Sequence, residues 1–320
     1  MQDEHDAVEP LATDLTGIDT RTAGLAQVTA GYLLRAPRPT LFECGPAKSI
    51  DTVIAALHAL GFDPDDLAYL VVSHIHLDHA GGAGDLARAF PNATVVVSDL
   101  GAAHLVDPTK LNASARRVYG SLHDRVYGDC TPVQQEQVRA VTDGEVLDLG
   151  GGRRLELLHT PGHAKHHISA FDPDSGWLFA GDSVGVKLPG MRVIRPATPP
   201  PDFDLALARR TLDRYRSLEP STLWLAHYGP LREPMAALDE ALERLAAWAE
   251  TAERAWAEHD ELDHVAETLA QRFADDIAPD VDDPEATERL ELLNGVESNA
   301  AGLLRYFRLR EEGRVADDSS

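Results

Sequence analysis

Short apolar runs rich in β-branched residues alternate with helix-periodic stretches along the first 230 residues, and that alternation predicts an α/β domain. LTGIDT (15–20) and LAQVTAGYLLRA (25–36) read as the strands of an opening hairpin and PTLFECG (39–45) as a third strand. SIDTVIAALHALG (49–61) reads as a helix that Gly61 closes. LAYLVVS (67–73) has no charged interruption and reads as a buried strand, AGDLARAF (83–90) as a short helix, and ATVVVSD (93–99) as the next strand. The strand pattern lapses between Asp107 and Val141, where the chain reads as helical or irregular. There Tyr119, His123 and Tyr127, at i, i+4 and i+8, would share one helix face. That face either packs on the protein body or forms a lid over a substrate.

From about Leu231 the composition shifts to Ala, Leu, Glu and Arg. Met235, Leu238, Leu242, Leu245, Ala249, Ala252 and Trp256 recur at steps of three and four, the apolar stripe of an amphipathic helix. Leu262, Val265, Leu269 and Phe273 make a second stripe, with Pro279 as a break after it, and a third helix is expected across 286–311. The chain therefore divides into a domain over 1–230 and a helical extension over 231–320. The extension reads either as an appendage over the domain or as a dimerisation element, which leaves a homodimer open.

Composition narrows the classes. With 53 acidic and 29 basic residues the formal charge is −24, which opposes binding to a phosphate backbone, so nucleic acid is not expected as a partner. No apolar run approaches the roughly 20 residues of a membrane span, and MQDEHDAVEPLATDL has neither a basic nor an apolar signal region. Two distant cysteines suggest no disulfide framework. These features lead to the expectation of a cytoplasmic protein acting on a small molecule, without a membrane partner.

The candidate chemistry begins directly after LAYLVVS, in HIHLDH: His74, His76, Asp78 and His79. On an extended segment alternate residues face one side, so His74 and His76 can reach one ion together, leaving Asp78 and His79 for a second. Imidazole and carboxylate suit a borderline ion such as zinc, at about 2.0 to 2.2 Å. Three further candidates follow strand-like runs: His163 after LELLHTPGH, Asp182 after WLFAGD, His227 after TLWLAH. Seven ligands are enough for two ions, which in such sites stand about 3.5 to 4 Å apart.

The motifs SHIHLDHAGG (73–82), TPGHAKHH (160–167), FAGDS (179–183) and LAH (225–227), in this order, resemble the metallo-β-lactamase superfamily of hydrolases, roughly from Gly24 to His227. The resemblance implies a four-layered αβ/βα sandwich with the C-terminal helical extension appended. It implies that His74, His76 and His163 bind a first metal, Asp78, His79 and His227 a second, and that Asp182 bridges them. Two Zn2+ are the expected cofactors, with iron or manganese also compatible with the donors. The activity expected is hydrolysis of an ester, thioester or lactone by a hydroxide held between the ions, whose pKa falls to about 7. Asp78 would orient it and shuttle a proton. Ser183 and Tyr228 are the candidate substrate contacts, and Ser73, His159, His166 and His167 stand next to ligands. One position departs from the family, which often carries Asp-Thr-Gly where this chain has Glu43, Cys44 and Gly45. Cys44 reads as a packing residue. The alternative activity is an iron-dependent oxidoreductase of the same fold, like a sulfur dioxygenase; that type works with one iron and would leave Asp78, His79 and His227 unexplained.

Overall fold

The computed structural model describes residues 7–277, 285–293 and 295–315; Pro279, the expected break, lies outside them. The chain forms two compact units, Met1–His159 with Ile168–Ser175, and Thr160–His167 with Gly176–Ser320.

In the first unit β1 (Val8–Pro10), β2 (Leu15–Asp19), β3 (Ala30–Leu34), β4 (Thr40–Phe42), β5 (Tyr69–Val71), β6 (Thr94–Ser98) and β7 (Val138–Val141) lie side by side in chain order. β2 and β3 are the expected hairpin, with Leu15 opposite Leu34 and Asp19 opposite Ala30. Antiparallel pairing holds from β1 to β4 and turns parallel from β4 to β7. Parallel steps need crossovers. Helix α1 (Ile50–Ala59) makes the first, α2 (Leu77–Ala80) and α3 (Ala83–Ala89) the second, and α4 (Asp99–Val106) and α5 (Thr109–Tyr119) the third. The apolar runs that predicted strands supply the core: Leu41, Leu70, Val72, Val95 and Val97 pack with Val53, Leu57, Leu86 and Phe90 of the helices. β8 (Glu145–Gly150), β9 (Arg153–His159) and β10 (Ile168–Asp172) form an antiparallel group in the same unit.

In the second unit β11 (Trp177–Gly181) runs parallel to β12 (Thr222–Leu225), and β13 (Gly229–Leu231) pairs antiparallel to β12. Asp204 caps α6 (Leu205–Leu218) by accepting the Leu207 N–H at 2.9 Å. Then come α7 (Pro234–Glu258), α8 (Leu262–Arg272), α9 (Ala274–Ile277), α10 (Ala286–Leu293) and α11 (Val296–Glu311). The single helix expected across 286–311 is thus two, because Gly295 has extended backbone angles. The α7 stripe is also rotated from the expected one: Met235 is 39% exposed while Trp248 is buried and stacks on Phe273 with ring centroids 5.2 Å apart. Two mixed sheets flanked by helices, with a helical C-terminal part, make this the expected α/β class. Among the described residues no helix is long and apolar enough to cross a membrane.

Candidate metal centre

The HIHLDH segment is less extended than its alternation suggested. β5 stops at Val71, His76 is the last residue with extended angles, and Leu77 begins the helical turn α2. His74 and His76 therefore converge from the loop, while Asp78 and His79 are carried on the helical turn. His74 Nε2 stands 2.8 Å from His76 Nδ1, and the His74 and His79 rings are 4.1 Å apart. On the other edge of His74, Nδ1 contacts the Ser73 hydroxyl at 2.9 Å, which leaves Nε2 for a ligand. His79 Nε2 lies 3.7 Å from Asp78 Oδ2 and His79 Nδ1 lies 3.5 Å from Glu43 Oε2. Glu43 is buried, at positive φ, and also accepts the Ser73 N–H at 3.3 Å. The glutamate at the position of doubt thus faces one ligand and ties down the neighbour of another. Cys44 gives its thiol to the His79 carbonyl at 3.2 Å, and burial, then Glu43, holds that thiol far above the ordinary thiol range. It is a buried packing group.

The second unit contributes its own trio. His163 leaves a tight turn in which Gly162, at φ +142°, has the α6 backbone at Ala208 where a Cβ would be, so only glycine fits. His163 Nδ1 meets the Ala197 carbonyl at 3.0 Å; a carbonyl only accepts, so Nδ1 carries the proton and Nε2 the lone pair. Asp182, at the end of β11, presents its two oxygens to different imidazoles: Oδ2 is 3.6 Å from His163 Nε2 and Oδ1 is 3.5 Å from His227 Nε2. Donors around one tetrahedral ion with bonds of 2.0 to 2.1 Å stand about 3.3 Å apart. The Asp182 geometry therefore fits a carboxylate shared by two ions. Its backbone N–H donates to His167 Nε2 at 3.3 Å, and His167 Nδ1 contacts the Thr160 hydroxyl at 2.8 Å. His167 thus fixes Asp182, a role that only its adjacency in TPGHAKHH hinted at.

Each of the seven sequence candidates belongs to a group whose His and Asp ligand atoms are close enough to hold a metal ion, and all but His76 and Asp78 are buried. The donor set, all imidazole nitrogen and carboxylate oxygen, fits a divalent transition ion. The other candidates make contacts of their own. Ser183 turns its hydroxyl to the Ala180 carbonyl and the Tyr215 hydroxyl, both at 2.6 Å. Half-buried Tyr228 packs on the Val186, Leu188 and Met191 cluster. His166 stands 3.7 Å from Asp202, and His159 gives its backbone N–H to Asp143. Tyr119, His123 and Tyr127 do not share a continuous helix, because α5 ends at Tyr119 and Gly120 takes a positive φ before a π-turn over His123–Tyr127. The Tyr119 and Tyr127 rings still meet at 4.6 Å, and His123 is enclosed between Asp124 and Asp129 at 3.0 and 3.3 Å.

This ligand set on this fold defines a class of metal-binding α/β proteins. The family model of the metallo-beta-lactamase superfamily matches residues 24–227, and the chain belongs to that superfamily. It is similar to the metallo-beta-lactamase fold-containing protein ST1585 of Sulfurisphaera tokodaii, 38% identical over 169 residues, 52% of this chain and 62% of that protein. The crystal structure of ST1585 matches with a TM-score of 0.69 at 28% identity, over 91% of this chain and 98% of the other. A putative diflavin flavoprotein of Thermosynechococcus vestitus is 29% identical over 232 residues, 68% of this chain and 36% of its own length. An N-acyl homoserine lactonase of Bacillus thuringiensis is 30% identical over 121 residues, 38% of this chain and 39% of its own. The chain thus spans less than two thirds of the length of these curated relatives.

Proposed function

We propose that this protein is a binuclear zinc hydrolase that opens an ester, thioester or lactone bond of a small molecule. The observation that carries the reading is Asp182, whose two oxygens address His163 and His227 separately, as a carboxylate between two ions would. His74, His76 and His163 hold one ion, Asp78, His79 and His227 the other. Bound divalent ions supply a nucleophile at neutral pH by acidifying water, and they polarise a carbonyl. The chain's own residues do the rest. Ser73 and the Ala197 carbonyl hold His74 and His163 with Nε2 available, and Glu43 orients His79. Asp78, whose side chain is 13% exposed, accepts the proton of the attacking water and returns it to the leaving oxygen or sulfur. Tyr228, beside His227, is the candidate donor to the substrate carbonyl. Ser183 is a weaker one, since its hydroxyl is already engaged.

Support comes from the lactonase relative and from a family model that takes in all seven ligands. The diflavin flavoprotein relative favours a second reading, an oxidoreductase, and the same imidazole and carboxylate donors accommodate iron. Metal analysis of protein purified without added metal, with a panel of lactones and thioesters assayed on the same sample, separates the two. Zinc near two per chain with hydrolysis is expected; iron without zinc, together with oxygen consumption, replaces the first reading by the second.

A further inference from the structure

Among the described residues Arg195 is a buried cation without an anion. Its relative exposure is 3%, and among the described residues no carboxylate pairs with it. Among the described residues its guanidinium makes one hydrogen bond, from Nη2 to the Leu290 carbonyl at 3.4 Å, and Nε is buried with no acceptor. Glu240, the acidic side chain that reaches this loop, is already engaged by the Ile194 N–H at 2.8 Å and by Lys187 at 3.8 Å. Burial pushes the pKa of the guanidinium down to about 10. An unpaired charge in such a place is strongly destabilising. A fold that keeps one has either a structural use for it or a ligand to meet it.

The position favours a ligand. Arg195 pairs with Val186 in an isolated antiparallel bridge, and directly opposite residues point to one face, so its side chain lies with Val186. That face is a small apolar layer of Val186, Leu188, Met191 and Leu290, with Tyr228 packed against it. Gly185, at φ +109°, lets the two segments approach, since a Cβ there would strike the Arg195 carbonyl. The same loop holds the two candidate ligand histidines of the second unit: Lys187 donates its N–H to the His227 carbonyl at 2.6 Å, and the Ala197 carbonyl receives His163 Nδ1. The guanidinium is therefore built into the segment that positions two proposed metal ligands.

We propose that Arg195 receives an oxyanion, the carboxylate or phosphate group of a ligand bound beside the proposed centre, and that the hydrolase substrate carries that group. The second clause rests on the proposed function; the first does not. A guanidinium offers parallel N–H donors to two oxygens of one such group, and exposed Arg192 on the same loop adds attraction in a chain of net charge −24.

The test compares the whole protein with Arg195→Met, which keeps the bulk and removes the charge, and with Arg195→Lys. Thermal unfolding is followed in a buffer free of phosphate and carboxylate, then with inorganic phosphate or butyrate added. Wild type is expected to gain stability with one of the two, which names the group, and Arg195→Met is expected to melt no lower than wild type without anion and not to respond to it. Arg195→Lys is expected to respond partly. No response of wild type to either anion, or a lower melting point of Arg195→Met with an undiminished response, overturns the site. On a panel of lactones and thioesters with and without a carboxylate or phosphate, Arg195→Met is expected to raise KM at least tenfold for the anionic members and to leave the neutral ones unchanged. Unchanged KM for all, with the anion response lost, overturns the substrate clause and leaves an anion site of its own. Absence of any hydrolysis by wild type overturns the proposed function, while the melting data still decide the site.

Discussion

Asp182 is where residue identity and geometry bear most directly on chemistry. Asp182→Ala removes both carboxylate oxygens facing His163 and His227, so the metal bound per chain should fall and hydrolysis drop by two or more orders of magnitude. Full metal content measured by mass spectrometry, with undiminished turnover, would rule out the bridge. Glu43→Gln keeps the shape but weakens the hold on His79, and affinity in competition with a chelator should fall about 10- to 100-fold. The motif spacing made all seven ligand candidates visible, because histidines and aspartates clustered at strand ends can be read in one dimension. Glu43 and His167 were not legible as supports. Glu43 approaches His79 from 36 positions away, and His167 reaches Asp182 across 15. The two thiols behave alike: burial raises Cys44 and pushes Cys130 up to about 12. A thiol whose folded pKa lies above its unfolded value stabilises the fold fully below the unfolded pKa and loses that contribution as pH rises through the folded one. Stability should therefore decline between about pH 9 and pH 12. It should decline less in a Cys130→Ala variant followed by denaturant titration.

At the scale of elements, long periodic stretches read correctly and boundaries did not. The β2–β3 hairpin, α1 and the buried strands were plain in the apolar pattern, because burial on both faces leaves continuous apolar runs. The 107–141 segment misled, since i, i+4 spacing continues through Gly120, where the backbone turns. The stacked Tyr119 and Tyr127 rings nevertheless form one patch, and Tyr127 lies within the electrostatic reach of Asp78. Replacing both tyrosines by Ala should shift the ratio of kcat/KM between small and bulky substrates if this patch shapes access. A lower melting point with the ratio unchanged would make it packing alone. Gly162 offers a cleaner test of an element contact: Gly162→Ala pushes a methyl into the α6 backbone and should lower both stability and metal content, because the His163 turn must move.

For the molecule as a whole, metal and fold should be linked. A ligand that binds only the folded state stabilises it by mass action, so chelator-treated protein should melt at a lower temperature and zinc should restore the loss. Identical melting curves before and after chelation, with zinc shown to leave, would remove metal from the stability of the fold. The sequence by itself determined the α/β class, the helical C-terminal part, the family and the seven metal-ligand candidates, because apolar period and donor spacing are local properties of the chain. Only the tertiary structure decided which tautomer His163 holds, how Asp182 divides its oxygens, and that Arg195 is buried without a counter-charge among the described residues. Those depend on groups far apart in sequence meeting in space, and no local pattern encodes such a meeting.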